Sequence, residues 1–561
     1  MFQRFKNFRK LRKWYVVKLK LVDARLYFVS IFVGLLTGLV AVPYHYCLYY
    51  FFNLRSEFFA SRPEWYWHIP LFLFFWAVLI FVSWLVMKMP LITGGGIPQT
   101  RAAINGRITY KHPFIELISK FFGGILSVSA GLSLGREGPS VQIGSYVGCL
   151  VARWTRILRG ERKQLLAAGA GAGLAAAFAA PLASSLLVIE SIERFDAPKT
   201  AITTLLAGVV AGAVASMVFP VNSYHLIQVA EPGFSFGIQV KYFLLLAVII
   251  SVCGKLYSMM MVSFKRVYAT VKSSVYMKMF YLLLVAYIIS FMQVNLTGGG
   301  EQFLLEQAQS GSHAPIMWVT AMMLLHFGFS VICVSSGLPG GSFIPTLVTG
   351  GLLGQIVGLL GVEYGVIEPE NVSYVMLISM SAFLVAVIRT PLTAIVLITE
   401  ITGHFEVFYP SVVVGGLTYY FTELLQIRPF NVTLYEDMIN TPAFQEQTRY
   451  KLSIEVMTGS YMDGKLVDEL SLPENCTIIN VHRDGKDAKP PGIRLIPGTR
   501  LILNWMRRIL KNSMSRSSAW QTFIDMDEVS LCQTAYFIQI LLNILIGQFV
   551  VYEVTGEIFI V

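Results

Sequence analysis

The run Gly131-Leu-Ser-Leu-Gly-Arg-Glu-Gly-Pro139 decides how this chain reads. It lies between strongly apolar segments, where an ionisable side chain is costly and marks a functional position, so Glu137 is the first candidate. Glycines flank the glutamate and a proline follows. Glycine lets the backbone approach a ligand closely, and proline in a first helical turn sacrifices no needed donor. The composition predicts a broken helix whose free N–H groups face an anion. The same run contains Gly131-Leu-Ser-Leu-Gly135, the Gly-x-Ser-x-Gly pattern of a serine nucleophile. That pattern needs a strand, a sharp elbow and a helix, with a His and an acid nearby. An intramembrane serine hydrolase acting through Ser133 is therefore the remote alternative.

The surroundings fix the class. The 561 residues have a mean hydropathy of +0.62 and are 14% charged, against about 25% in soluble domains. Apolar runs cover 27–52, 70–87, 205–220, 242–262, 280–292, 317–334, 374–397 and 411–420. A spanning helix takes about 20 such residues, fewer when partial or re-entrant. Well over ten membrane helices are expected, several of them short. Residues 1–25 hold nine Lys/Arg and one acid, Asp23, within a net charge of +11. The positive-inside rule reads this as a cytoplasmic arm beside anionic lipid headgroups rather than a nucleic-acid surface. No cleavage site follows it, so the first apolar run stays as a helix. Six cysteines stand singly, as small packing residues. No His-Glu-x-x-His run or Cys/His cluster is present, so neither metal nor cofactor is expected.

The chain repeats itself. Thr93-Gly-Gly-Gly96 recurs as Thr297-Gly-Gly-Gly300, Gly131–Pro139 as Gly337-Leu-Pro-Gly-Gly-Ser-Phe-Ile-Pro345, and Pro181-Leu-Ala-Ser-Ser-Leu-Leu-Val-Ile-Glu190 as Pro391-Leu-Thr-Ala-Ile-Val-Leu-Ile-Thr-Glu400, at offsets of 204, 206 and 210. Three matches in order indicate duplication, with a substrate site at the repeat interface. Whether the halves run parallel or inverted stays open. Three segments suit helix starts aimed at an anion: Gly94-Gly-Gly-Ile-Pro98, Gly135-Arg-Glu-Gly-Pro139 and Gly341-Ser-Phe-Ile-Pro345. Each start exposes unpaired N–H groups and about half a positive charge. Several together hold a small anion loosely enough to release it.

These motifs, with the run Ala172-Gly-Leu-Ala-Ala-Ala-Phe-Ala-Ala-Pro-Leu182 and Leu434-Tyr435, resemble the CLC chloride channel and transporter family over roughly residues 27–439. The resemblance implies an all-α polytopic membrane protein of two inverted repeats of short, tilted and broken helices, spanning 26–440 with halves near 26–225 and 226–440. It implies a homodimer in the cell membrane with one anion path per subunit. Glu137 matches the gating glutamate, whose carboxylate and chloride compete for the same donors. The implied anion-binding set is Gly95, Gly96, Ile97, Arg136, Gly138, Ser342, Phe343, Ile344 and Tyr435. Two departures stand out. Gly95 takes the place of a serine hydroxyl, which bears on anion choice. Ser191 occupies the usual position of an inner proton-accepting glutamate, and Glu190 beside it is either a substitute, offset by about 100° if the segment is α-helical, or a structural or water-facing acid, as its repeat mate Glu400 suggests. The implied activity is exchange of chloride, or a similar small anion, for protons. A passive voltage- or pH-gated chloride channel of the same fold is the alternative.

After about 438 the composition turns polar. A short helix at 466–470, strands at 476–481 and 500–505, and turns at Asp463-Gly464 and Asp484-Gly485 are expected. Residues 441–506 resemble a TrkA-C regulatory module, which implies a small α+β cytoplasmic domain and a small regulatory ligand. Residues 507–561 pair a basic stretch with an interrupted apolar run, 531–552. They read either as an extra hydrophobic helix or as a terminus without settled structure.

Overall fold

Proline opens helix after helix in this chain, at Pro98, Pro113, Pro181, Pro198 and Pro391, as its fixed φ and missing N–H favour. The computed structural model describes residues 2–62, 64–157, 159–193, 198–219, 227, 236–310, 314–440, 449–455, 464–469, 476–483, 486–488, 493–495, 500–506, 551–554 and 557–560. They form two units, Met1–Ile439 and Asn440–Val561.

The first unit is helical throughout. Its first half comprises α1 (Phe2–Ser61), α2 (Trp65–Lys88), α3 (Ile97–Ile104), α4 (Pro113–Ser129), α5 (Glu137–Trp154), α6 (Arg159–Phe178), α7 (Pro181–Leu187) and α8 (Pro198–Val218). The second repeats the order as α9 (Phe236–Thr270), α10 (Val275–Gln293), α11 (Glu301–Ser310), α12 (Ile316–Ser335), α13 (Phe343–Glu363), α14 (Val372–Ile388), α15 (Pro391–Thr402) and α16 (Phe408–Leu424), and α17 (Phe430–Ile439) closes the unit. The basic arm forms the first part of α1. Among the described residues, eight helices are long and apolar enough to cross a membrane. They differ in what they face. The most apolar window of α14 is wholly buried in protein and that of α2 only 17% buried. Thus α14 is a core helix, apolar all round, and α2 faces lipid.

Small residues let the helices close up, as membrane interfaces require. An added Cβ on Gly144 of α5 would fall 1.9 Å from the carbonyl oxygen of Gly169 in α6, and one on Gly169 2.0 Å from that of Gly144. Ala168, Ala172 and Ala176 of α6 pack with Ala207, Ala211 and Ala215 of α8 and Ala41 of α1.

The hydrogen bonds answer the question of orientation. The Glu190 carboxylate accepts from the N–H groups of Leu392 (3.0 Å) and Thr393 (2.8 Å) at the start of α15. Its repeat mate Glu400, near the end of α15, accepts from Leu182 (3.1 Å) and Ala183 (2.9 Å) at the start of α7. The start of each helix meets the acid following the other, so equivalent helices lie antiparallel. Gly135 and its mate Gly341 likewise exchange two backbone hydrogen bonds of 2.7 Å in an antiparallel bridge. Such reciprocal contacts are the signature of a two-fold relation, and the halves are inverted.

The apolar run 374–397 is not continuous. It breaks at Arg389, whose φ of 65° is the left-handed conformation of a helix C-cap. Bonds from its guanidinium to Glu423 Oε1 (2.6 Å) and to the carbonyls of Thr422 and Ile427 (2.9 Å each) hold that conformation.

In the second unit, β1 (Arg449–Glu455), β2 (Cys476–Arg483), β3 (Lys486–Ala488) and β4 (Arg500–Met506) form an antiparallel sheet ordered β1-β4-β2-β3. Both expected strands are present. The expected helix at 466–470 is reduced to one 3-10 turn, Val467–Glu469. Residues 507–550, with most of the 531–552 run, lie outside the described residues. Val551 and Tyr552 belong not to a helix but to strand β5 (Val551–Val554), paired with β6 (Glu557–Ile560).

The crossed caps carry a test. Glu190→Ala and Glu400→Ala should each lower stability by about 1–2 kcal/mol, read as a lower thermal midpoint in detergent. An unchanged midpoint for either variant would remove that cap from the stability of the fold.

Candidate anion site

Three helix starts arise from the glycine segments and meet. Helix α5 begins at Glu137 behind Arg136, α13 at Phe343 behind Ser342, and α3 at Ile97 behind Gly96. Gly96 has φ 94° and lies against the Gln142 side chain, so only glycine fits there. Gly94 N–H donates to Gly337 O and Gly340 N–H donates to Gly94 O, both at 3.1 Å. With the Gly135–Gly341 bridge, these bonds stitch the three loops together. An added Cβ on Gly95 would lie 3.5 Å from Gly341 Cα, 3.8 Å from Gly340 O and 4.0 Å from Gly138 Cα. Gly95, Gly138 and Gly341 therefore border one point.

Glu137 is fully buried there. An added Cβ on Gly135 would collide with Glu137 Oε2 and lie 3.2 Å from the Ile344 nitrogen. The carboxylate thus folds back toward the Ile344 N–H at the start of α13. Neither of its oxygens completes a regular hydrogen bond. It occupies the end of a helix dipole, where a small anion would also be drawn. Ser342, Phe343 and Ile344 contribute that helix start, and Gly95, Gly96, Ile97 and Gly138 the neighbouring ones.

Other candidates are placed differently. Arg136 is paired with Glu301 at 3.1 Å. Tyr435 packs on α3, its ring lying under the Arg101 guanidinium at 4.9 Å. Glu190 sits in a π-helical turn, Val188–Glu193, with both oxygens engaged at α15. The wider turn replaces the α-helical geometry expected of it. Ser191 follows in the same turn. Ser133 is led into by α4 and not by a strand, and its hydroxyl is buried without a partner. The nucleophile elbow is not built.

Three charged residues escaped sequence reasoning. Lys120, fully buried in α4, donates to the carbonyls of Ile92 (2.8 Å) and Gly94 (2.5 Å), bracing the α3 loop. Arg55 of α1 donates to Thr297 Oγ1 (2.8 Å) and to Ser290 Oγ, bracing the repeated loop. Glu301 holds Arg136. A lone charge inside an apolar run was the available signal for Lys120 and Arg55.

Comparison with known proteins agrees with this geometry. Residues 77–423 match the family model described as voltage gated chloride channel. The chain is 29% identical over 449 residues to the H(+)/Cl(−) exchange transporter ClcA of Vibrio cholerae serotype O1, covering 75% of this chain and 91% of that protein. It is 28% identical over 397 residues to ClcA of Klebsiella pneumoniae subsp. pneumoniae, covering 69% and 83%. The crystal structure of a slow cyanobacterial Cl−/H+ antiporter superposes with TM-score 0.67 at 25% identity, over 75% of this chain and 99% of that one. A CLC-type fluoride/proton antiporter shares the fold, with TM-score 0.57 and 21% identity over 72% and 96%. The family match spans more than half of the sequence, and the protein belongs to the voltage-gated chloride channel family.

Proposed function

We propose that the protein is a secondary active transporter that exchanges chloride for protons across the membrane. One observation carries this reading: the Glu137 carboxylate is buried where the helix starts of both halves meet, facing the Ile344 N–H. Ionised, it holds the place of an anion. Protonated, it loses its charge and yields those donors to chloride. The names of the ClcA relatives and of the cyanobacterial structure support exchange over passive conduction.

The remaining roles follow from placement. Backbone N–H groups of Ser342, Phe343 and Ile344 bind the anion, with Gly95, Gly96, Ile97 and Gly138 closing the site and the Tyr435 hydroxyl contributing from α17. Glu190 and Glu400 serve as helix caps, so protons reach Glu137 from that end without a carboxylate at 190 or 191. The subunit pairs with a second copy in the cell membrane. Positive-inside charge places the N-terminal arm on the cytoplasmic side, together with the C-terminal unit. That unit, 441–506, is a TrkA-C-like module that takes a small regulatory ligand.

Two measurements in liposomes test this. Glu137→Gln should abolish proton movement driven by a chloride gradient while chloride flux persists, because a neutral amide mimics the protonated acid. Intact coupling in that variant would take Glu137 out of the mechanism. Gly95 has no positive φ, and the nearest atom to an added Cβ is 3.5 Å away, so Gly95→Ser fits. The new hydroxyl should favour chloride over the larger nitrate by about 1 kcal/mol, about fivefold in relative flux. An unchanged ratio would place position 95 outside the anion path.

A further inference from the structure

A cavity of about 70 Å³ is lined by Leu134, Arg136, Thr297, Gly298, Glu301 and Ile344 among others. It has room for waters or one small anion. Arg136 immediately precedes Glu137, and Ile344 supplies the N–H its carboxylate faces. Of these six residues, Arg136 and Glu301 carry charge. Their side chains are 24% and 15% exposed, whereas Glu137 is fully buried. The pair therefore meets the accessible space, and the carboxylate next along the chain from Arg136 does not. It also joins the halves, since Arg136 leads into α5 and Glu301 opens α11. In the duplicated segment Glu301 falls where the first half has Ile97. The fold thus builds the same helix start without an acid, and the carboxylate is an addition made at one mouth alone.

We propose that Glu301 is a specificity-determining residue for anion entry at this mouth: its carboxylate occupies the Arg136 guanidinium, and an anion arriving from this side must displace it before reaching the place held by Glu137. Glu301 thereby repeats, one step nearer the solvent, the contest between carboxylate and chloride that Glu137 conducts at the helix starts. The inference rests on the reading of Glu137 given above.

The test uses the full-length protein in liposomes, with chloride varied on one face at a time. Glu301→Gln should lower the half-saturating chloride concentration about two- to fivefold on one face and leave the other face unchanged. Glu301→Asp, which keeps the charge on a shorter arm, should give an intermediate drop on that same face. A structural role alone would change yield or turnover without a one-sided change in half-saturation. Equal shifts on both faces, or no shift in Glu301→Gln, overturn the proposal. Should Glu301→Gln fail to fold, an unshifted Glu301→Asp overturns it equally. Glu137→Gln in the same assay separates the two failures. If it uncouples protons while the Glu301 variants behave as wild type, only the present inference falls.

Discussion

The structure turns on the attraction between unpaired backbone N–H groups and one buried carboxylate. Free donors inside a membrane are expensive, because no water is present to satisfy them. Helix starts concentrate such donors, and this protein brings three of them to one point instead of dispersing them. The arrangement is tolerable only if something negative sits there. Glu137 places a carboxylate there from within the chain.

Holding three loops together while leaving donors unpaired requires bracing from behind. Lys120 grips the carbonyls of Ile92 and Gly94. His326, its counterpart at an offset of 206, turns elsewhere: its Nε2 lies 3.4 Å from the carbonyl of Pro345 in the first turn of α13. Arg55 holds the repeated loop through Thr297. Lys120 and Arg55 thus spend donors on the loops behind the helix starts. The glycine pair Gly144 and Gly169 contributes at a distance, letting α5 and α6 approach closely.

The sequence carried the glutamate, the glycine and proline breaks and the duplication, because these are local patterns with local physical causes. It did not carry orientation. Similar segments look alike whichever way they run, and the crossed caps of Glu190 and Glu400 exist only between elements about 200 residues apart. For the same reason the partners of Glu190 are hidden: nothing near it in the chain shows that α15 uses both of its oxygens. The break at Arg389 hid inside an apolar run, since its cause is three bonds to residues 422–427 and its only local sign is Pro391. Lys120 and Arg55 were visible as isolated charges among apolar residues, but their targets were not.

Inverted halves give a scaffold in which each mouth is the other turned over. A perfectly symmetric protein would treat both faces alike, and a carboxylate at both 137 and 343 would set two like charges beside one site. The chain avoids this. Phe343 answers Glu137, His326 answers Lys120, and Ile97 answers Glu301. In each pair the carboxylate or ammonium of one half has no like group in the other. Glu137 belongs to one half, and the Arg136–Glu301 ion pair spans both. Asymmetry in such a molecule is therefore not a property of the shared fold but of the positions where the repeats differ.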